Sequence, residues 1–109
     1  MKLTKIIDEL NATVVVEPKD ETEVEGVYIG DLLSLVMAKA QENDIWITIQ
    51  THINIVAVAT LVNLSAIVIA EGMDVDEDTI KKAKEENIPI LKSELSAYEI
   101  ACKLCRLGV

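Results

Sequence analysis

A chain of 109 residues can build one hydrophobic core and is too short for two. Half of it is apolar but only 3% is aromatic, so the core has to be aliphatic. A formal net charge of −9 excludes a binder driven by the nucleic-acid backbone and one drawn to an anionic membrane, since both need a basic face.

The first segment, "LTKIIDEL", places Leu3, Ile6, Ile7 and Leu10 at helical spacing. "ATVVVE" at 12–17 is β-branched and reads as a strand. The stretch 17–25 is acidic, contains Pro18 and has no apolar pattern apart from Val24, so it reads as a solvated, mobile loop. "GVYIGD" is a short strand between Gly26 and Gly30, two glycines expected to permit tight turns. Asp31 is positioned to cap a helix over "LLSLVMAKAQE", whose apolar residues cover more than one stripe and predict a largely buried helix.

"DIWITIQ" and "AIVIAE" are continuous apolar strands, the signature of parallel strands buried on both faces. Parallel neighbours need a crossover of a dozen or so residues, which makes 52–62 a helix despite its β-branched composition. Thr51 is its candidate cap. "DVDEDTIKKAKEEN" carries Asp76 as cap, Glu77 and Asp78 in the first turn, and i,i+4 pairs Glu77–Lys81 and Asp78–Lys82. "IPIL" is a strand, Ser93 or Ser96 opens the last helix, and Gly108 ends it. The expected fold class is α/β, a single domain over 1–109 with a mostly parallel sheet flanked by helices and right-handed crossovers.

Ligands of parallel sheets bind beyond the C-terminal strand ends, at helix N-termini. That rule gathers Gln50, Thr51, His52 and Asn54 after one strand, Glu71 and Gly72 after the next, and Ser93 and Ser96 after a third. These eight are the candidate ligand-binding residues, and helix capping is the competing role for the hydroxyls among them. His52, the one histidine, and Glu71 are the only pair available to an enzymatic reading. One histidine and two distant cysteines form no closed zinc set, and no phosphate-cradling glycine loop is present, so no metal and no cofactor is expected. Cys102 and Cys105 have CxxC spacing but lie in the last turns of a helix, where the dipole opposes a thiolate. Helical spacing makes both of them small core residues, and puts Tyr98 in the core with its hydroxyl at the rim.

The stretch "GVYIGDLLSLVMAKAQENDIWITIQTHINIVAVATL", followed by "IVIAEGMDVDEDTIKKAKEENIPILKSELSAYEIACKL", resembles the DRTGG domain family in its small standalone version. The resemblance implies a fold like the N-terminal domain of HPr kinase. It also implies a non-catalytic regulatory module, homodimeric, acting on a small polar or phosphorylated ligand or a protein partner. Thr51-His52 stands where many relatives carry Asp-Arg, and Ala70-Glu71-Gly72 stands where they carry Thr-Gly-Gly. A role resting on that arginine therefore does not carry over. A purely structural dimerisation unit is the alternative. "MKLTKIIDEL" lacks the apolar h-region of a secretory signal and no uninterrupted apolar run has membrane length, so a cytoplasmic chain is expected.

Overall fold

The computed structural model describes all 109 residues. The elements follow in the order α1 (Leu3–Leu10), β1 (Thr13–Val16), β2 (Gly26–Ile29), α2 (Leu33–Lys39), β3 (Asp44–Thr48), α3 (Asn54–Val62), β4 (Ala66–Ile69), α4 (Glu77–Glu86), β5 (Ile90–Lys92) and α5 (Ala97–Leu107). Five strands form one sheet in the order β1-β5-β4-β3-β2. The pairs β2–β3, β3–β4 and β4–β5 are parallel, and β1 joins β5 antiparallel with a bulge between Val14 and Val16. The expected alternation of elements and the mostly parallel sheet are both present.

Every residue of β3 and β4 is buried, and alternation sends their side chains to two separate cores. On the first face Trp46, Ile67, Ile69 and Ile90 pack against α2, α3 and α4. On the second, Ile45, Ile47, Val68 and Leu91 pack against α1 and α5. The composition of 52–62 suits a strand, but the crossover between parallel β3 and β4 makes it helical, and α3 buries Ile55, Val56, Val58 and Ala59. Trp46 is fully buried, and its indole N–H donates to the Gly30 carbonyl at 2.8 Å, which satisfies the one polar atom it takes into the core.

Several expectations fail for identifiable reasons. Helix α2 is largely exposed: only Val36 is buried within it, while Leu32, Leu35 and Met37 face solvent. It lies over the sheet margin formed by β2 and has a helical neighbour, α3, on one side only. Tyr98 is 77% exposed, and Cys102 is half-buried and Cys105 exposed, because the stripe of α5 that meets the sheet is centred on Ile100 and Leu104. The pairs Glu77–Lys81 and Asp78–Lys82 do not form. Lys82 reaches forward instead, to Glu85 and Glu86. The acidic loop is anchored in its second half: Lys2 pairs with Glu21 and Glu23, the N-terminal ammonium with Glu23, and Val24 is buried.

Gly26 and Gly30 are present for close approach, not for turn conformation, since neither has a positive φ. A Cβ on Gly26 would lie 2.5 Å from Oδ1 of Asp44, its partner across the β2–β3 pair. Asp44 is buried, and its other oxygen accepts from the Gln41 amide at 2.8 Å, which holds the turn into β3. Alanine in place of strand glycine ordinarily stabilises through the unfolded chain. Here Gly26→Ala is expected to lower stability by about 1–3 kcal/mol by displacing that carboxylate. In chemical denaturation of the single and double variants, the cost of Gly26→Ala should shrink markedly in an Asp44→Ala background.

Candidate functional site

The parallel run of β2 to β5 brings four C-terminal strand ends to one edge of the molecule. Each of α2, α3 and α4 crosses over the first face, so the turns after β2, β3 and β4 lead that way. The segment after β5 leads to α5 on the second face. Adjacent strands β4 and β5 therefore send their connections to opposite faces, which is the topological switch point of an open α/β sheet. Turns 70–76 and 93–96 flank it. They are joined by backbone hydrogen bonds from Glu71 N to the Leu95 carbonyl (2.9 Å) and from Gly72 N to the Ser93 carbonyl (2.8 Å).

The rim holds all eight sequence-identified residues, but most of their polar groups serve the fold. The Gln50 amide donates to the Asp31 carbonyl at 2.9 Å. Thr51 does not cap α3, whose N-cap is Ile53 without a side-chain bond. Its hydroxyl donates to Asp76 at 3.5 Å, and its carbonyl accepts from the Thr79 hydroxyl at 2.8 Å. Asp76 is the N-cap of α4 by position, yet its carboxylate takes the Thr51 hydroxyl and caps no amide. The Ser93 hydroxyl accepts from the Leu95 amide, and Ser96 forms a reciprocal capping box with Glu99. The hydroxyls thus act as local structure, but helix capping, the competing role named for them, holds only for Ser96.

Three residues remain outside that network. The side chains of His52, Asn54 and Glu71 are exposed, and none is a donor or acceptor in any hydrogen bond of the protein. Glu71 and Gly72 have consecutive left-handed backbone conformations, φ 62° and 64°. Against Gly72 lies the Glu94 carboxylate, so a Cβ there would meet it at 2.1 Å. His52 and Glu71 occupy neighbouring turns without an ion pair or hydrogen bond between them, so the dyad an enzymatic reading needs is not assembled. The cavity that touches the rim is about 260 Å³ and is lined by Leu10, Asn11, Ser93, Glu94, Leu95 and Lys103.

Sequence reasoning gave Asp31 the wrong partner. It does not cap α2, whose N-cap is Leu32. Its carboxylate accepts from the Thr48 hydroxyl at 2.8 Å and the Ile49 amide at 3.1 Å, tying the end of β2 to the end of β3. Neither Asp31 nor Thr48 carries a local sequence signal for this contact, which depends on strand register. The rim is also acidic: Asp31, Glu71, Asp74, Asp76, Glu77, Asp78 and Glu94 surround it, against His52 and Lys92.

Lys92 reaches across the switch point from β5 to Asp74 in the β4–α4 turn, at 2.7 Å. The hydrogen bond from Lys92, and then its charge, hold the Asp74 carboxyl below its ordinary pKa. The Lys92 ammonium is raised by the same hydrogen bond. A carboxyl lowered in the folded state contributes stability above its unfolded pKa and loses it as pH falls through the folded value. In a carbon-detected titration, the Asp74 midpoint should lie below that of an ordinary aspartate and rise to the ordinary value in Lys92→Met. An unchanged midpoint would mean that the strap does not persist in solution.

Residues 5–107 match the DRTGG domain family. Among curated proteins, none matches the chain. Among solved structures, the chain is similar to the CBS and DRTGG domains of the regulatory region of Clostridium perfringens pyrophosphatase, a structure complexed with an activator, diadenosine tetraphosphate. The identity is 18% and the TM-score 0.78, over 94% of this chain and 45% of that one. The chain thus spans less than half the length of the pyrophosphatase region it matches. With nearly its whole length matched, the chain belongs to the DRTGG domain family.

Proposed function

We propose that this member of the DRTGG domain family is a non-catalytic, cytoplasmic regulatory module. It senses a small polar ligand at the β3–β4–β5 rim and works as a homodimer. The observation that carries the ligand reading is the set of side chains the fold leaves unused. His52 and Asn54 at the start of α3 and Glu71 at the switch point are exposed and free of hydrogen bonds, while Gln50, Thr51, Ser93 and Ser96 beside them are committed to structure. The absence of a side-chain cap on α3 leaves that helix end open to a ligand acceptor. The acids around the rim set the ligand's charge. A neutral or cationic group meets a favourable field, and a polyphosphate such as the pyrophosphatase activator needs a divalent cation to offset theirs.

Thermal unfolding of the whole protein tests this with diadenosine tetraphosphate and a panel of nucleotides, each with and without magnesium. A ligand at about 100 times its dissociation constant stabilises by about 2.7 kcal/mol, which raises the melting temperature by several degrees. For a polyphosphate the rise should require magnesium. The double variant His52→Ala/Asn54→Ala should melt within about a degree of the parent when unliganded, since exposed side chains without bonds contribute little. It should lose most of the ligand-induced rise. An equal rise in the variant would remove the rim from the account, and silence across the panel would favour the purely structural dimerisation unit.

The dimer reading rests on apolar exposure. Of the exposed large hydrophobic residues, Ile29, Leu32, Leu35, Met37 and Ile49 lie on β2, on α2 with its N-cap, or just past β3. Such a concentration at one margin of a small domain marks an interaction surface. Light scattering should give twice the chain mass at micromolar concentration. Leu32→Glu/Leu35→Glu should give the monomer with its melting transition retained. A parent that is monomeric throughout would contradict the dimer.

A further inference from the structure

The opposite margin of the sheet has different chemistry. Strand β1 is paired on one side only, to β5, and its other side is a free edge. Beyond that ladder, residues 13–19 make no backbone hydrogen bond, and no side chain elsewhere bonds to them. Beside the edge runs the largest cavity of the molecule, a groove of about 590 Å³. Val14, Val15 and Val16 line it along the strand, Pro18 lies beyond them, and Lys84 and Asn87 from the end of α4 form the other wall. Two ammonium groups, Lys19 and Lys84, border this groove against one carboxylate, Glu17. Neither lysine has an acidic partner, in a chain with 19 acidic and 10 basic residues.

We propose that the β1 edge and this groove form a docking site for an extended acidic segment of a partner protein, which adds to the sheet as a sixth strand. The free edge supplies main-chain donors and acceptors for affinity, and the valines accept alternate side chains of the added strand. Lys19, just past the end of β1, and Lys84, in the last turn of α4 before β5, both lie by the Val16 end of the edge and select a carboxylate there. The bulge, Pro18 and Lys19 are the devices by which edges avoid indiscriminate pairing. Pro18 and Lys19 also bound the site at one end, and the bulge at Val15 lies within it, so the edge is the four residues Thr13–Val16, roughly 13 Å of extended chain. A segment of alternating β-branched residues with an acidic residue at the end that meets the lysines has the matching length and charge, and acids at both ends present one there in either direction of pairing. This surface is separate from the rim and from the apolar β2–α2 margin, and does not depend on the reading of either.

The test titrates the ¹⁵N-labelled full chain with three capped heptapeptides, EVTVTVE, its charge-reversed form KVTVTVK, and the strand-breaking EVTPTVE. EVTVTVE should shift the amides of residues 13–19, 84 and 87 and slow hydrogen exchange along β1. EVTPTVE should bind at least about tenfold more weakly, since proline removes a ladder donor. In Lys19→Glu/Lys84→Glu, both exposed positions, affinity for EVTVTVE should fall about tenfold while that for KVTVTVK rises. The proposal is overturned by an absence of β1 shifts at millimolar EVTVTVE, by equal affinity for both charge forms, or by shifts confined to the β2 margin. It is also overturned if β1 is already protected in the protein alone, in a concentration-dependent way that the peptide does not displace, because a second copy then fills the edge.

Discussion

The structure depends on the pairing of β3 with β4. Both strands are buried along their whole length, and they run parallel in register from Ile45–Ala66 to Thr48–Ile69. A parallel pair cannot be closed by a tight turn, so the chain has to cross the sheet between them, and it does so as α3. The same handed step is taken from β2 to β3 and from β4 to β5, which places three helices on one face. The second face then needs cover from elsewhere in the chain, and the N- and C-terminal helices α1 and α5 supply it. The switch point at the β4 and β5 ends results from this arrangement, because α4 follows β4 over the first face whereas the segment after β5 leads to α5 on the second.

Function in this account is placed where the sheet leaves groups unspent. At the rim Gln50, Thr51, Ser93 and Ser96 hold turns together, and of the eight residues the topology gathers there His52, Asn54 and Glu71 have side chains left over. At the two margins the sheet ends differently. The β2 margin is apolar beneath an exposed helix, and the β1 margin offers bare backbone with two lysines beside it. A domain this small has few surfaces, and three of them are chemically distinct enough to bind different things. That fits a regulatory module, whose output depends on binding and not on turnover.

Much of the architecture was legible in the sequence. Continuous apolar runs at 44–50 and 66–71 specified buried parallel strands, and that inference overruled local composition at 52–62. Ser96 and Gly108 cap α5 as expected because those bonds are set by nearest neighbours along the chain, whereas Asp76 holds the N-cap position of α4 without bonding an amide. What the sequence hid was set by contacts distant along it. The partner of Asp31 is fixed by β2–β3 register, the exposure of α2 by its position over a sheet margin, and the exposure of Tyr98 and Cys105 by a small rotation of α5 about its axis. The rim was found from topology. The sharing of its residues between structure and surface needed the hydrogen-bond geometry, since a threonine that caps a helix and one that reaches an aspartate on the next turn look alike in sequence.

Native-state amide hydrogen exchange tests the central claim, a rigid parallel centre carrying a separable rim, most directly. The account predicts that amides of 45–48 and 66–69 exchange only through global unfolding. Those of 50–54 and 71–76 should exchange through local opening and become protected when a stabilising ligand is bound. Contradiction would come from centre and rim exchanging with one common free energy, or from a bound ligand protecting the centre and leaving the rim unchanged.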